Sequence, residues 1–254
     1  MNEVGPPHAL VAGGSGGIGR AIARSLAEAG WDVSLTYRGN EQAAQQTAGL
    51  VRKAGQTARV HQLELTDANA AREVVDAAAA AAPLSAVVYA AGPHIPMRFI
   101  SDLTAEEFAS VIDQDLKGSF NFLRPALPHL RQTKGSVLSI VTPVISRYTR
   151  MDLMSVTPKA AIQAITRGIA AEEGRYGVRA NAIGVGVIEG EGMWDELIAR
   201  GDFTEAGLRK ALADTALKRF GRVEDIAQAA EFLLSERASW ITGQTLYVDG
   251  GYSI

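Results

Sequence analysis

Cysteine is absent from all 254 residues, so disulfides, thiolate nucleophiles and the usual zinc or iron–sulfur sites are excluded at the outset and no metal is expected. No run of Lys or Arg occurs, and the formal net charge is only −3, which leaves no electrostatic footprint for nucleic acid or an anionic membrane. Long apolar runs are missing too, since none reaches the roughly 18 residues that spanning a bilayer needs. The opening MNEVGPPHALVAGG lacks a basic region followed by an apolar stretch, so a cytoplasmic protein is expected. Internal repeats and low-complexity linkers are also absent. A chain of this length with 47% hydrophobic and 21% charged residues suits one α/β domain spanning 1–254. A small neutral or modestly anionic molecule is the ligand these absences leave.

Short apolar runs rich in Val, Ile and Leu alternate with longer Ala-rich segments of helical period, the pattern of βαβ units around a parallel sheet. Strands are expected at 8–12, 32–37, 58–63, 85–90, 135–141, 178–183 and 244–248, mostly unbroken apolar runs, as where helices cover both sheet faces. Helices are expected at 18–29, 40–53, 69–82, 104–130, 155–176 and 223–234. The architecture this predicts is a single doubly wound, Rossmann-type α/β domain with a seven-stranded parallel sheet and helices on both faces. The stretch 189–217 has no clear sheet or core-helix role. Its Gly, Asp and Glu spacing around Trp194, Phe203 and Leu208 predicts a pair of short amphipathic helices acting as a substrate lid.

The first strand runs into Gly13-Gly14-Ser15-Gly16-Gly17-Ile18-Gly19 and then a helical pattern. Glycines let backbone approach a pyrophosphate without a Cβ in the way, and the free N–H groups at the helix start favour its negative charge. After strand two, an acidic residue would bind the adenosine ribose of NAD, whereas a cation there accommodates a 2′-phosphate. The strand ends Tyr37-Arg38, with no carboxylate at Tyr37 and a planar fork at Arg38, so NADP(H) is favoured over NAD(H).

The glycine spacing, Ala12 followed by Gly13-x-x-x-Gly17-x-Gly19, resembles the Thr-Gly-x-x-x-Gly-x-Gly motif of the short-chain dehydrogenase/reductase family, with only the threonine missing. Further landmarks follow in the family's order: Glu64-Leu65-Thr66-Asp67, Ala90-Ala91-Gly92, Lys159 opening a long helix, and Arg179-Ala180-Asn181-Ala182-Ile183. The C-terminal run from Arg219-Phe220-Gly221-Arg222 to Val248-Asp249-Gly250-Gly251 resembles the subset that includes 3-oxoacyl-carrier-protein reductases. The resemblance covers residues 8–254. It implies cofactor contacts from Gly13, Ser15, Gly16, Gly17, Ile18, Gly19, Tyr37, Arg38, Glu64, Leu65, Ala90, Ala91, Gly92, Lys159 and Ile188, with Glu64 and Leu65 bordering the adenine. It also implies association through the helices at 104–130 and 155–176, hence a homotetramer or dimer.

The family's mechanism, as the resemblance implies it, uses a tyrosine proton donor, a lysine four residues later, a strand-five serine and a helical asparagine. Here Lys159 is in place, but Ser155 stands where the tyrosine belongs. Thr142 replaces the serine, Asp115 the asparagine, and Gly190 a threonine expected after strand six. A related enoyl-reductase branch has its tyrosine seven residues before the lysine, and that position is Asp152. Thr142, Ser155, Lys159 and Asp115 are the catalytic candidates, and Tyr148, His94 or Asp152 could replace the missing acid. The expected function is carbonyl or alcohol oxidoreduction through an altered proton donor. The alternatives are a catalytically degenerate cofactor-binding partner, or a non-redox lyase or isomerase reusing the pocket. Residues 95–101, 143–153 and 189–217, with Met97, Phe99, Ile145, Met151, Met193 and Trp194, are expected to give an apolar lining for a bulky or acyl substrate.

Overall fold

The structure is a computed structural model that describes residues 5–190, 194, 198–199, 201 and 204–254. Seven strands form one parallel sheet: β1 (His8–Ala12), β2 (Asp32–Tyr37), β3 (Ala58–Gln62), β4 (Leu84–Tyr89), β5 (Ser136–Val141), β6 (Arg179–Val185) and β7 (Thr245–Val248). Their order is β3-β2-β1-β4-β5-β6-β7, so the winding reverses between β1 and β4. β1, β2, β4 and β5 are buried almost throughout because helices cover both faces, including polar positions such as His8, Ser34 and Ser139.

One face carries α1 (Gly17–Glu28), α2 (Glu41–Lys53) and α8 (Val223–Leu234), which bury Ile22, Leu26, Val51 and Ile226 against Val33, Leu35 and Ile183. The other carries α3 (Ala68–Ala81), α5 (Gly118–Thr133) and α6 (Leu153–Glu173), where Phe122, Leu123 and Ile162 meet Leu10, Val87 and Tyr89. Side-chain caps fix several helix starts: Asn40 accepts from Ala43 N–H at 3.0 Å and Asp67 from Asn69 N–H at 2.9 Å. Among the described residues no helix is long and apolar enough to cross a membrane.

Two helices differ from their sequence expectation. The helix expected over 104–130 is α4 (Ala105–Val111), a π-helical turn at Ile112–Lys117, then α5. Hydrophobic period does not reveal an extra residue per turn, and such turns gather at functional sites. The helix expected from Ser155 starts two residues earlier at Leu153, and its last turn, Gly174–Tyr176, tightens to 3₁₀. Its N-cap is Asp152, so Ser155 is not a cap. Of the expected lid, α7 (Glu205–Asp214) is present, capped by Thr204. Met193 and Phe203 lie outside the described residues.

Candidate active site

In open sheets of this kind ligands bind in the crevice beyond the carboxyl ends of the strands where the winding reverses, which here is between β1 and β4. Gly13 leaves β1 with φ +77° and packs so closely on the chain after β4 that a Cβ would lie 2.7 Å from the Ala90 carbonyl oxygen. Gly19 faces the Gly13 carbonyl with no room for a side chain. Those two glycines serve the packing of the turn. At Gly16 a Cβ would meet only the Gly13 oxygen, at 3.4 Å, so the outer rim, flanked by half-buried Ser15 and Ile18, is bare backbone. α1 begins at Gly17 with neither a side-chain cap nor an acidic residue in its first turn, which leaves its leading N–H groups for an anion. A bare rim over uncapped amides fits a dinucleotide pyrophosphate.

Along the same edge, Arg38 donates to Gln114 Oε1 of the π turn at 3.1 Å, and its neighbour Tyr37 hydrogen-bonds to Glu41. Leu65 is fixed from behind, with Gly118 against its Cβ and Asn121 donating to its carbonyl at 2.9 Å. Glu64 is exposed and accepts from Thr66 N–H at 3.3 Å. Ile188, beyond β6, bridges to Gly221, where a Cβ would strike the Ile188 side chain.

Beneath this crevice lies a chain of buried polar groups. Lys159 Nζ donates to Asp115 Oδ1 at 2.9 Å and to the Ala91 carbonyl at 3.2 Å. The Tyr89 hydroxyl donates to the same Oδ1 at 3.0 Å and to the Asp115 carbonyl at 2.9 Å. Asp115 and Tyr89 are completely buried, and the Lys159 side chain is 14% exposed. Burial raises the Tyr89 phenol well above its ordinary pKa, and the adjacent carboxylate adds to the effect, so it acts only as a donor. Asp115 Oδ2 is buried with no hydrogen-bond partner among the described residues. The π turn carries Asp115 inward, and Gly92 roofs the pair, its Cβ position 3.5 Å from Nζ. Tyr89 was not singled out from sequence. Its signal was a phenol ending a mostly apolar, buried strand, where a hydroxyl calls for a buried partner.

The remaining candidates lie around this pair. The Thr142 Oγ accepts weakly from Val144 N–H at 3.3 Å, and its own proton can still be given to a ligand. Ser155 sits one turn before Lys159 on α6, its backbone N–H bonded to the Asp152 carbonyl at 3.2 Å. Asp152 is 9% exposed and, although it is the N-cap, its carboxyl makes no capping bond; burial pushes it up to about 7. Tyr148 is 52% exposed, and His94 is half-buried beyond β4. Phe99 and Ile100 present apolar surface nearby, whereas Ile95 is buried with Val111 and Met154 in a small separate core. Trp194 packs edge-on against Phe220 at 5.2 Å.

The family model described as enoyl-(acyl carrier protein) reductase matches residues 12–253. The 3-oxoacyl-[acyl-carrier-protein] reductase FabG of Staphylococcus aureus is 32% identical over 248 residues, covering 96% of this chain and 96% of that protein. L-fucose dehydrogenase of Rattus norvegicus is 31% identical over 245 residues, covering 95% and 87%. A solved short-chain type dehydrogenase/reductase from Mycobacterium ulcerans superposes with a TM-score of 0.89 at 30% identity, covering 98% of this chain and 90% of that one. The fold, the glycine turn and these matches agree, and the chain belongs to the short-chain dehydrogenase/reductase family as an oxidoreductase.

Proposed function

We propose that the chain is an NADP(H)-dependent oxidoreductase that interconverts a carbonyl and an alcohol on a largely apolar or acyl substrate, through an altered proton donor. The observation that carries this reading is the position of Lys159, held by Asp115 and by the carbonyl of Ala91, the segment after β4 on which Gly13 of the glycine turn packs. When bound, a reduced nicotinamide supplies hydride. Lys159 would hold its ribose, the Thr142 hydroxyl would orient the substrate oxygen, and Arg38 would exchange its neutral partner Gln114 for a 2′-phosphate. Exposed Phe99, Ile100 and Tyr148 favour an acyl over a sugar substrate, although both an acyl-carrier reductase and a sugar dehydrogenase are among the relatives.

A second copy of the chain would cover the groove between α5 and α6. Its floor of Phe120, Leu123, Leu127 and Ile165 is apolar, and Arg124 and Glu172 on its rim have opposite charges that a twofold axis would pair. A catalytically degenerate cofactor-binding partner is the second reading, favoured by the carboxylate that offsets the Lys159 charge. NADPH oxidation with acetoacetyl-N-acetylcysteamine separates the two. Turnover supports the oxidoreductase, whereas NADPH binding by calorimetry without turnover on this thioester or on simple ketones supports the partner.

A further inference from the structure

Resting on the oxidoreductase reading, we infer that Asp152 is the proton donor of this site, its carboxyl taking over the place left empty by Ser155 on the helix face that leads to Lys159. Side chains on a helix lean toward its N-terminus, so a residue covers the surface about one turn before its own Cα. A long side chain at position 155 would therefore set its tip over the turn that Asp152 begins. Ser155 is too short to reach there, and the carboxyl at 152 starts from there.

Angular position agrees. At about 100° per residue, positions 152, 155 and 159 fall within roughly a 60° sector, whereas Met154 lies on the opposite side and packs with Ile95 and Val111. The turn before α6 is built to hold Asp152 inward. Met151 adopts φ +71°, an uncommon conformation for a residue with a side chain, and its carbonyl accepts from Arg98 N–H at 3.1 Å. Helix N-terminal aspartates ordinarily cap exposed amides in their carboxylate form. This one caps nothing and is 9% exposed, so it is largely shielded from water while still reachable.

Charged groups on the surrounding elements are engaged elsewhere: Arg98 with Glu107 of α4, and Lys159 with Asp115 of the π turn. Arg150, two residues before Asp152 in sequence, is exposed. Burial alone pushes the Asp152 carboxyl up to about 7, so roughly half of it carries a proton at neutral pH, where an ordinary aspartate is almost wholly ionised. In the reductive direction the carbonyl carbon accepts hydride and the C=O π pair moves to oxygen. The Asp152 O–H bond then breaks to give that oxygen its proton, and the carboxylate regains one from solvent. Oxidation runs the same transfers backward, with the carboxylate as base.

The test uses the full-length protein, NADPH and acetoacetyl-N-acetylcysteamine, with Asp152→Asn and Asp152→Glu. Wild-type kcat should fall as pH rises through about 7. Asp152→Asn should lower kcat by about 10²- to 10⁴-fold below that pH and flatten the profile, with NADPH affinity unchanged, and Asp152→Glu should restore part of the rate. Without nucleotide, ¹³C NMR of the aspartate carboxyls should show one carbon titrating near 7 that is missing in Asp152→Asn. Turnover by the wild type together with an unchanged rate and profile in Asp152→Asn overturns the assignment and leaves the oxidoreductase reading standing. Absence of wild-type turnover overturns both.

Discussion

Lys159 Nζ and Asp115 Oδ1 are 2.9 Å apart in a setting where the carboxylate is wholly buried and the ammonium nearly so. Removing one member of such a pair strands the other as an uncompensated charge, which costs about 3–5 kcal/mol. Lys159→Met is therefore expected to destabilise the fold by that amount in urea unfolding. The double variant Lys159→Met/Asp115→Leu should recover most of the loss, because no charge is left behind. Equal losses in the single and double variants would show that packing, not charge pairing, dominates here. Tyr89→Phe should cost less, about 1–3 kcal/mol, since Asp115 Oδ1 keeps its lysine.

Nucleotide preference should follow Arg38. Its present acceptor, the Gln114 amide oxygen, is neutral, and a phosphate would give it a charge-assisted and bidentate partner worth about 1.5–3 kcal/mol. Calorimetry should find NADPH bound more tightly than NADH, with Arg38→Ala removing the difference. Gln114→Ala should leave the preference intact or strengthen it, because it frees the guanidinium. Equal affinities in the wild type would refute the NADP(H) assignment.

Much of this was readable in the residues. Strand positions follow from apolar runs that helices must cover on both sides, and the glycine turn from its place between β1 and α1. The π turn was not readable, because an inserted residue leaves composition and hydrophobic spacing almost unchanged, and with it the burial of Asp115 and its bond to Tyr89 stayed hidden. The depth of Asp152 was equally invisible. An aspartate before a helical run reads as an exposed cap, and only the left-handed turn at Met151 and the packing around it make it a buried acid.

That burial has a consequence for stability. The Asp152 carboxyl lies near 3.8 when unfolded and about 7 when folded. Below the first value both states hold the proton and nothing is lost. As pH rises from about 4 to 7, the unfolded state releases its proton first, so stability falls, by about 4 kcal/mol at most. Asp152→Asn does not titrate. Its unfolding free energy should match that of the wild type more nearly at pH 4.5 and exceed it increasingly toward pH 8, and a difference constant with pH would contradict the raised pKa.

Self-association should depend on the groove between α5 and α6. Phe120 is 52% exposed in the single chain and would become a central apolar contact in a symmetric pair. Phe120→Asp places a charge there on each copy, next to its symmetry mate. Light scattering should then report a smaller assembly than the tetramer or dimer expected of the wild type, with unchanged circular dichroism. A monomeric wild type at micromolar concentration would remove the proposed interface altogether.

Restoring a phenol at position 155 tests whether the site is still arranged for hydride transfer. A tyrosine there would lie one turn from Lys159 and lean over Asp152, within reach of a carbonyl oriented by Thr142. Two features of this chain shape the expected result. The Lys159 ammonium is offset by Asp115, so the field that would lower the pKa of a new phenol is weakened. The gain from Ser155→Tyr should therefore grow when Asp115→Asn is added, and it should approach the 10²- to 10⁴-fold that a positioned general acid is worth only above about pH 7, where Asp152 no longer supplies the proton. In addition, Asp152 loses its proton above about 7, so the benefit of a second acid should be larger at pH 8 than at pH 6. Lys159→Ala should abolish the gain in either background. Steady-state rates with acetoacetyl-N-acetylcysteamine for these variants, with NADPH affinity measured separately, decide the matter. A Ser155→Tyr/Asp115→Asn protein that binds NADPH normally and reduces nothing faster than wild type would mean that the substrate oxygen is not held where this geometry requires it.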